Sequence, residues 1–222
     1  MTVLTPAQRL FLAKFFARTR ARAFYLTGGG ALAAYYLEHR LSQDLDLFTQ
    51  DREAWEAIEA DLKAAAEECG AGLEFSHARE PNELHRASLK VAGEPELKID
   101  VVRDTPPHFG DPQLRPDGVI VDSLENIAVG KLLAVYGRAY PRDFVDLYFL
   151  LAGGFDFQRL LALAKEKDPG LFEHYLAGMI RQVTRVREHQ LPPLLKPLDL
   201  ERMKEFFLKL ADELAKGQYS QE

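Results

Sequence analysis

An α/β fold is predicted here, a small mixed sheet flanked by helices and followed by a helical lobe, and three observations predict it. Strand-like and helix-like runs alternate from Phe24 to Arg103. The segment Thr105 to Gly118 then gathers Pro106, Pro107, Pro112, Pro116, Gly110 and Gly118, the density of a linker or wrapping loop. Beyond it every segment reads helical. The lobes therefore divide as 1–115 and 116–222, with the active cleft expected between them.

Residues 6–22 read as an amphipathic helix with Pro6 near its start. Phe24 to Leu26 is a short buried strand, and Gly28-Gly29-Gly30 a tight turn whose backbone N–H groups can approach phosphate oxygens. The spacing predicts a helix over Ala31 to Leu41, its N-terminus adding donors for an anion. Asp44-Leu45-Asp46-Leu47-Phe48 follows as a strand with both carboxylates on one face and both leucines in the core. A second helix spans Asp51 to Cys69, with Trp55, Ile58, Leu62 and Ala65 on one side and Gly70 closing it. Leu73 to His77, Leu84 to Val91 and Glu96 to Arg103 read as strands, the last two joined as a hairpin at Gly93. Asp122-x-x-Glu125 is a capping box opening a helix through Tyr136. Pro141 opens the next, stopped by Gly153-Gly154, and helices follow at about 156–166, 170–188 and 199–216.

Asp44, Asp46 and Asp100 form a carboxylate trio on two strands of one sheet, beside a glycine turn. Two carboxylates on one face next to a phosphate cradle suit magnesium, with manganese as a substitute. Moving a nucleotidyl group needs an activated attacking oxygen and a neutralised pyrophosphate, which two divalent ions about 4 Å apart supply. On that reading Asp44 and Asp46 ligate both metals, and Asp100 completes the metal facing the acceptor hydroxyl. Asp-x-Asp alone is common and a glycine triplet alone is usually a flexible turn. Their joint order carries the inference. The competing reading of Asp100 is a surface residue paired to Lys98.

The runs Leu26-Thr27-Gly28-Gly29-Gly30-Ala31-Leu32-Ala33 and His39-Arg40-Leu41-Ser42-Gln43-Asp44-Leu45-Asp46-Leu47-Phe48 resemble the AbiEii/AbiGii toxin family of nucleotidyltransferases, within the polymerase-β-like superfamily. Lys131, Arg138 and the run from Arg142 to Leu151 resemble that family's second segment, so the likeness covers about residues 20–165. The family usually carries Thr or Ser where this chain has Gly30, which leaves phosphate binding to backbone N–H groups. The resemblance implies a polymerase-β-like core. It also implies that Lys131 neutralises triphosphate charge and that Arg142 and Asp143 line the same cleft. Arg142 paired with Asp146 one turn along is the plainer alternative, and Asp143 and Asp146 stand open between structural and functional roles. Lys131 shares a helix side with Leu124, Ile127, Ala128 and Val135, and a buried lysine needs an anion. Arg40 and Ser42 are read as fixing the strand that follows them, and His39 as a helix-end residue.

At 222 residues, 47% hydrophobic and 28% charged, the composition is that of an ordinary globular protein. No apolar run of about 18 residues could span a bilayer, and no secretory signal is visible, so a cytoplasmic protein is expected. Cys69 is the one cysteine, which excludes an internal disulfide and a cysteine-based zinc cluster. Net charge is −6, and the basic runs Arg9 to Arg22 and Arg181 to Arg187 read as solvated helix faces before RNA footprints. The expected reaction is metal-dependent transfer of NMP from an NTP to an acceptor hydroxyl. The resemblance favours an RNA or tRNA 3′ end as acceptor and an antitoxin as partner. The alternatives are transfer to a small molecule such as an aminoglycoside, and a non-catalytic module that binds nucleotide or a partner protein.

Overall fold

A computed structural model describes residues 3–76 and 84–217. The expected strand residue His77 lies outside them. The chain divides into two compact units, one of Met1–Tyr36 with Leu41–Ser123 and one of Leu37–Arg40 with Leu124–Glu222. Among the described residues no helix is long and apolar enough to cross a membrane.

The first unit opens with α1 (Pro6–Phe16), where the Thr5 side chain and Gln8 cap each other's backbone N–H groups. Gln8 is itself buried, and its amide donates to the carbonyls of Ser42 and Gln43, tying α1 to the segment that carries Asp44. The expected helix over 6–22 stops at Phe16, and Arg20–Ala23 forms a separate 3-10 turn. Then come β1 (Tyr25–Thr27), α2 (Gly28–Leu32), β2 (Leu45–Thr49), α3 (Arg52–Glu56) and α4 (Ile58–Glu68). The rest of the unit is strand: β3 (Gly72–Ser76), β4 (Leu84–Lys90), β5 (Leu97–Arg103), β6 (Gln113–Leu114) and β7 (Ile120–Val121).

These strands make one mixed sheet in the order β3-β4-β5-β2-β1-β7-β6. β2 runs parallel to β5 and β1 parallel to β7, while the other neighbours are antiparallel. Leu45, Leu47, Ile99 and Val101 are fully buried on one face. Each contributes about 1.5–3 kcal/mol by leaving water. The loop from Thr105 to Gly118 does not leave this unit, because β6 and β7 extend the sheet beside β1.

Two further helices of this unit differ from expectation. The one expected over Ala31 to Leu41 starts at Gly28, directly after β1, and widens into a π-helical turn over Ala33–Leu37. It ends where Glu38 takes φ +48° and the next two side chains are drawn into a buried ion network. The helix expected from Asp51 to Cys69 is divided at Ala57. Gly70 closes it in a left-handed conformation, φ +65°.

The second unit is helical: α5 (Leu124–Gly137), α6 (Pro141–Ala152), α7 (Phe157–Lys167), α8 (Glu173–Ile180) and α9 (Leu200–Ala215). α8 is shorter than its expected span because Arg181–Arg185 tightens into a 3-10 turn. α5 packs on α6, α7 and α8, and α8 on α9. Phe144 and Phe207 meet edge to face at 5.3 Å in this core.

Within the first unit, Asp122 closes the chain around the end of β1. Its carboxylate accepts from Thr27 Oγ1 at 2.6 Å, from the Ser123 N–H at 2.7 Å and from His108 Nε2 at 2.9 Å. His108 Nδ1 faces the Gly110 carbonyl at 2.7 Å. Both partners of this imidazole are acceptors, so both ring nitrogens carry hydrogen. Burial by itself would lower the His108 pKa, but the Asp122 carboxylate, the Gly110 carbonyl and nearby Asp104 raise it above the ordinary 6.5. A raised histidine stabilises the fold fully below the unfolded value and loses that contribution as pH climbs through the folded one. The denaturation midpoint should therefore fall as pH rises above about 6.5, and His108→Ala should flatten that slope. Identical slopes for the two proteins would show that the pin carries no linkage.

Candidate active site

Backbone register sets the carboxylate row of the first unit. Thr27 on β1 lies opposite Asp46 on β2, Asp46 beside Asp100 on β5, and Asp100 opposite Arg86 on β4. Residues so aligned point to the same side of a sheet, so Thr27, Asp46, Asp100 and Arg86 form one row across four strands. Asp44 immediately precedes β2, two residues from Asp46, and is half-buried.

The glycine turn meets this row at close range. Gly28 has φ +66°, and a Cβ built there would stand 2.1 Å from Asp46 Oδ2. Both the conformation and the room are open to glycine alone. A Cβ at Gly30 would lie 3.1 Å from the Asp44 carbonyl oxygen, tight enough that this segment would have to give. The glycine where the family pattern has Thr or Ser thus coincides with close packing of the Asp44 backbone. Asp100 is not paired to Lys98. The Arg86 guanidinium grips it with two bonds, Nε to Oδ1 at 2.8 Å and Nη2 to Oδ2 at 3.1 Å.

The donor set suits a hard divalent cation, since all three side chains offer carboxylate oxygen. Asp46 and Asp100 are register neighbours, and the Asp46 carboxylate fills space a Cβ would otherwise take. Among the described residues, however, no three His, Cys, Asp or Glu side chains are grouped closely enough to enclose an ion. The fit therefore rests on donor chemistry and the Asp46–Asp100 pairing, with Arg86 already holding one member.

The second unit gathers the other expected residues around Asp146. This fully buried carboxylate accepts from Arg40 Nε at 2.6 Å and Nη2 at 2.9 Å, and from His39 Nε2 at 2.7 Å. Lys131 Nζ lies 2.8 Å from it and 3.9 Å from Asp143. Asp143, also fully buried, accepts two bonds from Arg138 at 2.9 and 3.1 Å. Burial alone would raise the Asp146 pKa, but Lys131, Arg40 and His39 together hold it far below the carboxylate range. The anion that a buried Lys131 requires is thus a carboxylate of its own unit, and any phosphate it met would share its charge with Asp146. His39, read as a helix-end residue, lies just past the turn that ends at Leu37 and is fully buried. Arg142 is exposed and lies over the Tyr140 ring at 5.7 Å rather than on Asp146.

Sequence reasoning missed Arg86, Thr27 and Asp122, and left Asp146 undecided. Arg86 and Thr27 become visible once the strands are in register. Asp146 had one legible signal, its spacing of three from Asp143 on a helix with an apolar stripe, which turns both carboxylates inward.

A carboxylate row facing a glycine turn on a mixed sheet is the architecture of a nucleotidyltransferase. The sequence profile of the nucleotidyl transferase AbiEii toxins, a type IV toxin–antitoxin system, matches residues 10–222, and the chain belongs to that family. An uncharacterized protein of Aquifex aeolicus (strain VF5) is 28% identical over 176 residues, 75% of this chain and 77% of that protein. Among solved structures, JHP933 from Helicobacter pylori aligns with a TM-score of 0.56 at 18% identity, covering 95% of this chain and 89% of its own. A second H. pylori protein, assigned to the nucleotidyltransferases, gives a TM-score of 0.53 at 17% identity over 97% and 96%. At those identities the likeness is one of fold.

Two substitutions test the two clusters, one in each unit. Gly28→Ala should cost about 1–3 kcal/mol through left-handed strain and the clash with Asp46, read as a lower melting midpoint. Asp146→Ala should cost about 3–5 kcal/mol in chemical denaturation, because it strands Lys131 and Arg40 in the interior. A loss under about 1 kcal/mol would show that the buried hub is dispensable.

Proposed function

We propose that this protein moves a nucleoside monophosphate from an NTP to the 3′-hydroxyl of an RNA, tRNA being the favoured class, with release of pyrophosphate. The acceptor oxygen bonds to the α-phosphorus while the bond from that phosphorus to the β-bridging oxygen breaks. The acceptor proton passes to a carboxylate, for which Asp100 is the candidate. Asp44 and Asp46, with Asp100, would hold magnesium, or manganese in its place, which when bound supplies positive charge to the triphosphate and lowers the pKa of the acceptor hydroxyl. Backbone N–H groups of Gly28, Gly29 and Gly30 would receive the phosphates. Lys131, Arg142 and Asp143 are proposed to assist nucleotide binding, Lys131 and Asp143 through the buried network they anchor.

The observation that carries this reading is the Asp46–Asp100 pairing set against Gly28, in a chain of the nucleotidyltransferase toxin family. The family also brings an antitoxin as the expected partner. The test is to incubate the protein with Mg²⁺, each labelled NTP in turn and total cellular RNA, beside an Asp44→Ala/Asp46→Ala control. Label entering a discrete RNA band, and absent from the control, is the expected result and names the base. Pyrophosphate release with label only in small molecules would move the acceptor to that class, which the net charge of −6 favours for a cationic substrate. No pyrophosphate from any NTP would reduce the chain to a binding module.

A further inference from the structure

We propose that the corner between α5 and α6, with the adjoining face of α8, binds single-stranded RNA, its bases stacking on Tyr140 and its phosphates meeting Arg142 and Arg185. The proposal rests on the RNA acceptor argued above and gives that acceptor a place on the second unit.

The observations begin at Tyr140. This ring is half exposed, at 51%, and the exposed Arg142 follows it on α6 before the helix turns into the core at Asp143. Two guanidinium groups stand over it, Arg138 at 5.3 Å and Arg142 at 5.7 Å from the centroid. Arg138 is tied to Asp143, but Arg142 has no carboxylate partner among the described residues. The residue before Tyr140, Ala139, takes φ +49°, a left-handed conformation that a non-glycine residue seldom adopts. The corner thus presents the ring outward at some expense.

A depression of about 440 Å³ adjoins this corner. Arg138, Arg185, Gln182 and Gln190 line it, with Pro141 and Met179 on its floor and walls, and no acidic residue takes part. Arg185 is exposed and, like Arg142, has no carboxylate partner among the described residues. In a chain with 34 acidic and 28 basic residues, a lining whose two charged side chains are both arginine is a local reversal of sign. The first basic run behaves differently: Arg18 and Lys14 pair with Glu68, and Arg20 pairs with Asp61. Apolar surface continues away from the depression along α8, because Tyr175, half exposed at 54%, lies one helical turn before Met179.

An exposed aromatic ring with the unpaired Arg142 over it, and Arg185 on the adjoining depression, match the two repeating parts of a single strand, bases with π-faces and phosphates with charge. Duplex RNA fits less well, since its bases are already stacked. A protein partner would use the same aromatic and arginine residues as anchors, but two uncompensated guanidinium groups would then require acidic residues in that partner.

The test is fluorescence anisotropy with a short labelled oligouridylate and, in parallel, a duplex RNA of equal length, between about 50 and 200 mM salt. The wild type should prefer the single strand. Tyr140→Ala should raise Kd about tenfold or more, and Tyr140→Phe should restore most of it because the ring still stacks. Arg142→Ala and Arg185→Ala should each reduce the salt slope by about one. Melting midpoints of the variants report that they are folded. No binding by the wild type, equal binding of duplex, or wild-type Kd in all three alanine variants overturns the proposal. Binding is read without turnover, so the two readings fail separately. A face that binds RNA in a protein that labels none sinks the acceptor, and RNA labelling with unaltered Kd in the variants sinks the face.

Discussion

The register of β1, β2, β5 and β4 is the constraint on which the candidate chemistry depends. It places Thr27, Asp46, Asp100 and Arg86 in one line, and a slip of one residue on β2 would turn both of its carboxylates into the core. The buried Leu45 and Leu47, packed beside Ile99 and Val101, make that slip costly, so the apolar face holds the polar face in place. The glycine turn then fits only this register, because Gly28 is open at the point that the Asp46 carboxylate occupies. Thr27, by donating to Asp122, locks the end of β1 from which the turn departs.

A different kind of constraint governs the second unit. Asp146 collects Arg40, His39 and Lys131 in a site without solvent, where attraction among the charges has to offset desolvation of each. The partners come from residues 39, 40 and 131, so the hub draws His39 and Arg40 out of helical geometry after Leu37. The chain that leaves this hub at Arg40 reaches Asp44 four residues later.

Much of the first unit was legible because strands declare themselves by alternation. Leu97, Ile99 and Val101 on one face and Asp100 on the other follow from a period of two. The carboxylates and the glycine turn were legible because few backbones use that order of residue types. What stayed hidden was pairing at long range. Arg40 and Asp146 stand 106 positions apart and Thr27 and Asp122 stand 95 apart, and neither composition nor periodicity joins them. Helix ends were read too long at Leu41 because propensity does not register the demand of a buried hub on His39. Arg86 looked like any strand arginine until the β4–β5 hairpin set it opposite Asp100.

Charge arithmetic explains why that arginine stands where it does. Neighbouring strands are about 4.8 Å apart, and two carboxylates at that spacing repel by about 3–4 kcal/mol at an effective dielectric of 20. Asp46 and Asp100 are register neighbours, so positive charge is required beside them. The Arg86 fork meets part of that requirement from β4. A divalent ion would meet it more completely, and would have to take a share of Asp100 from the guanidinium to do so. The same pair of carboxylates that makes the row expensive to fold in isolation is therefore what gives it affinity for a cation, and Arg86 sets the level against which that affinity is measured.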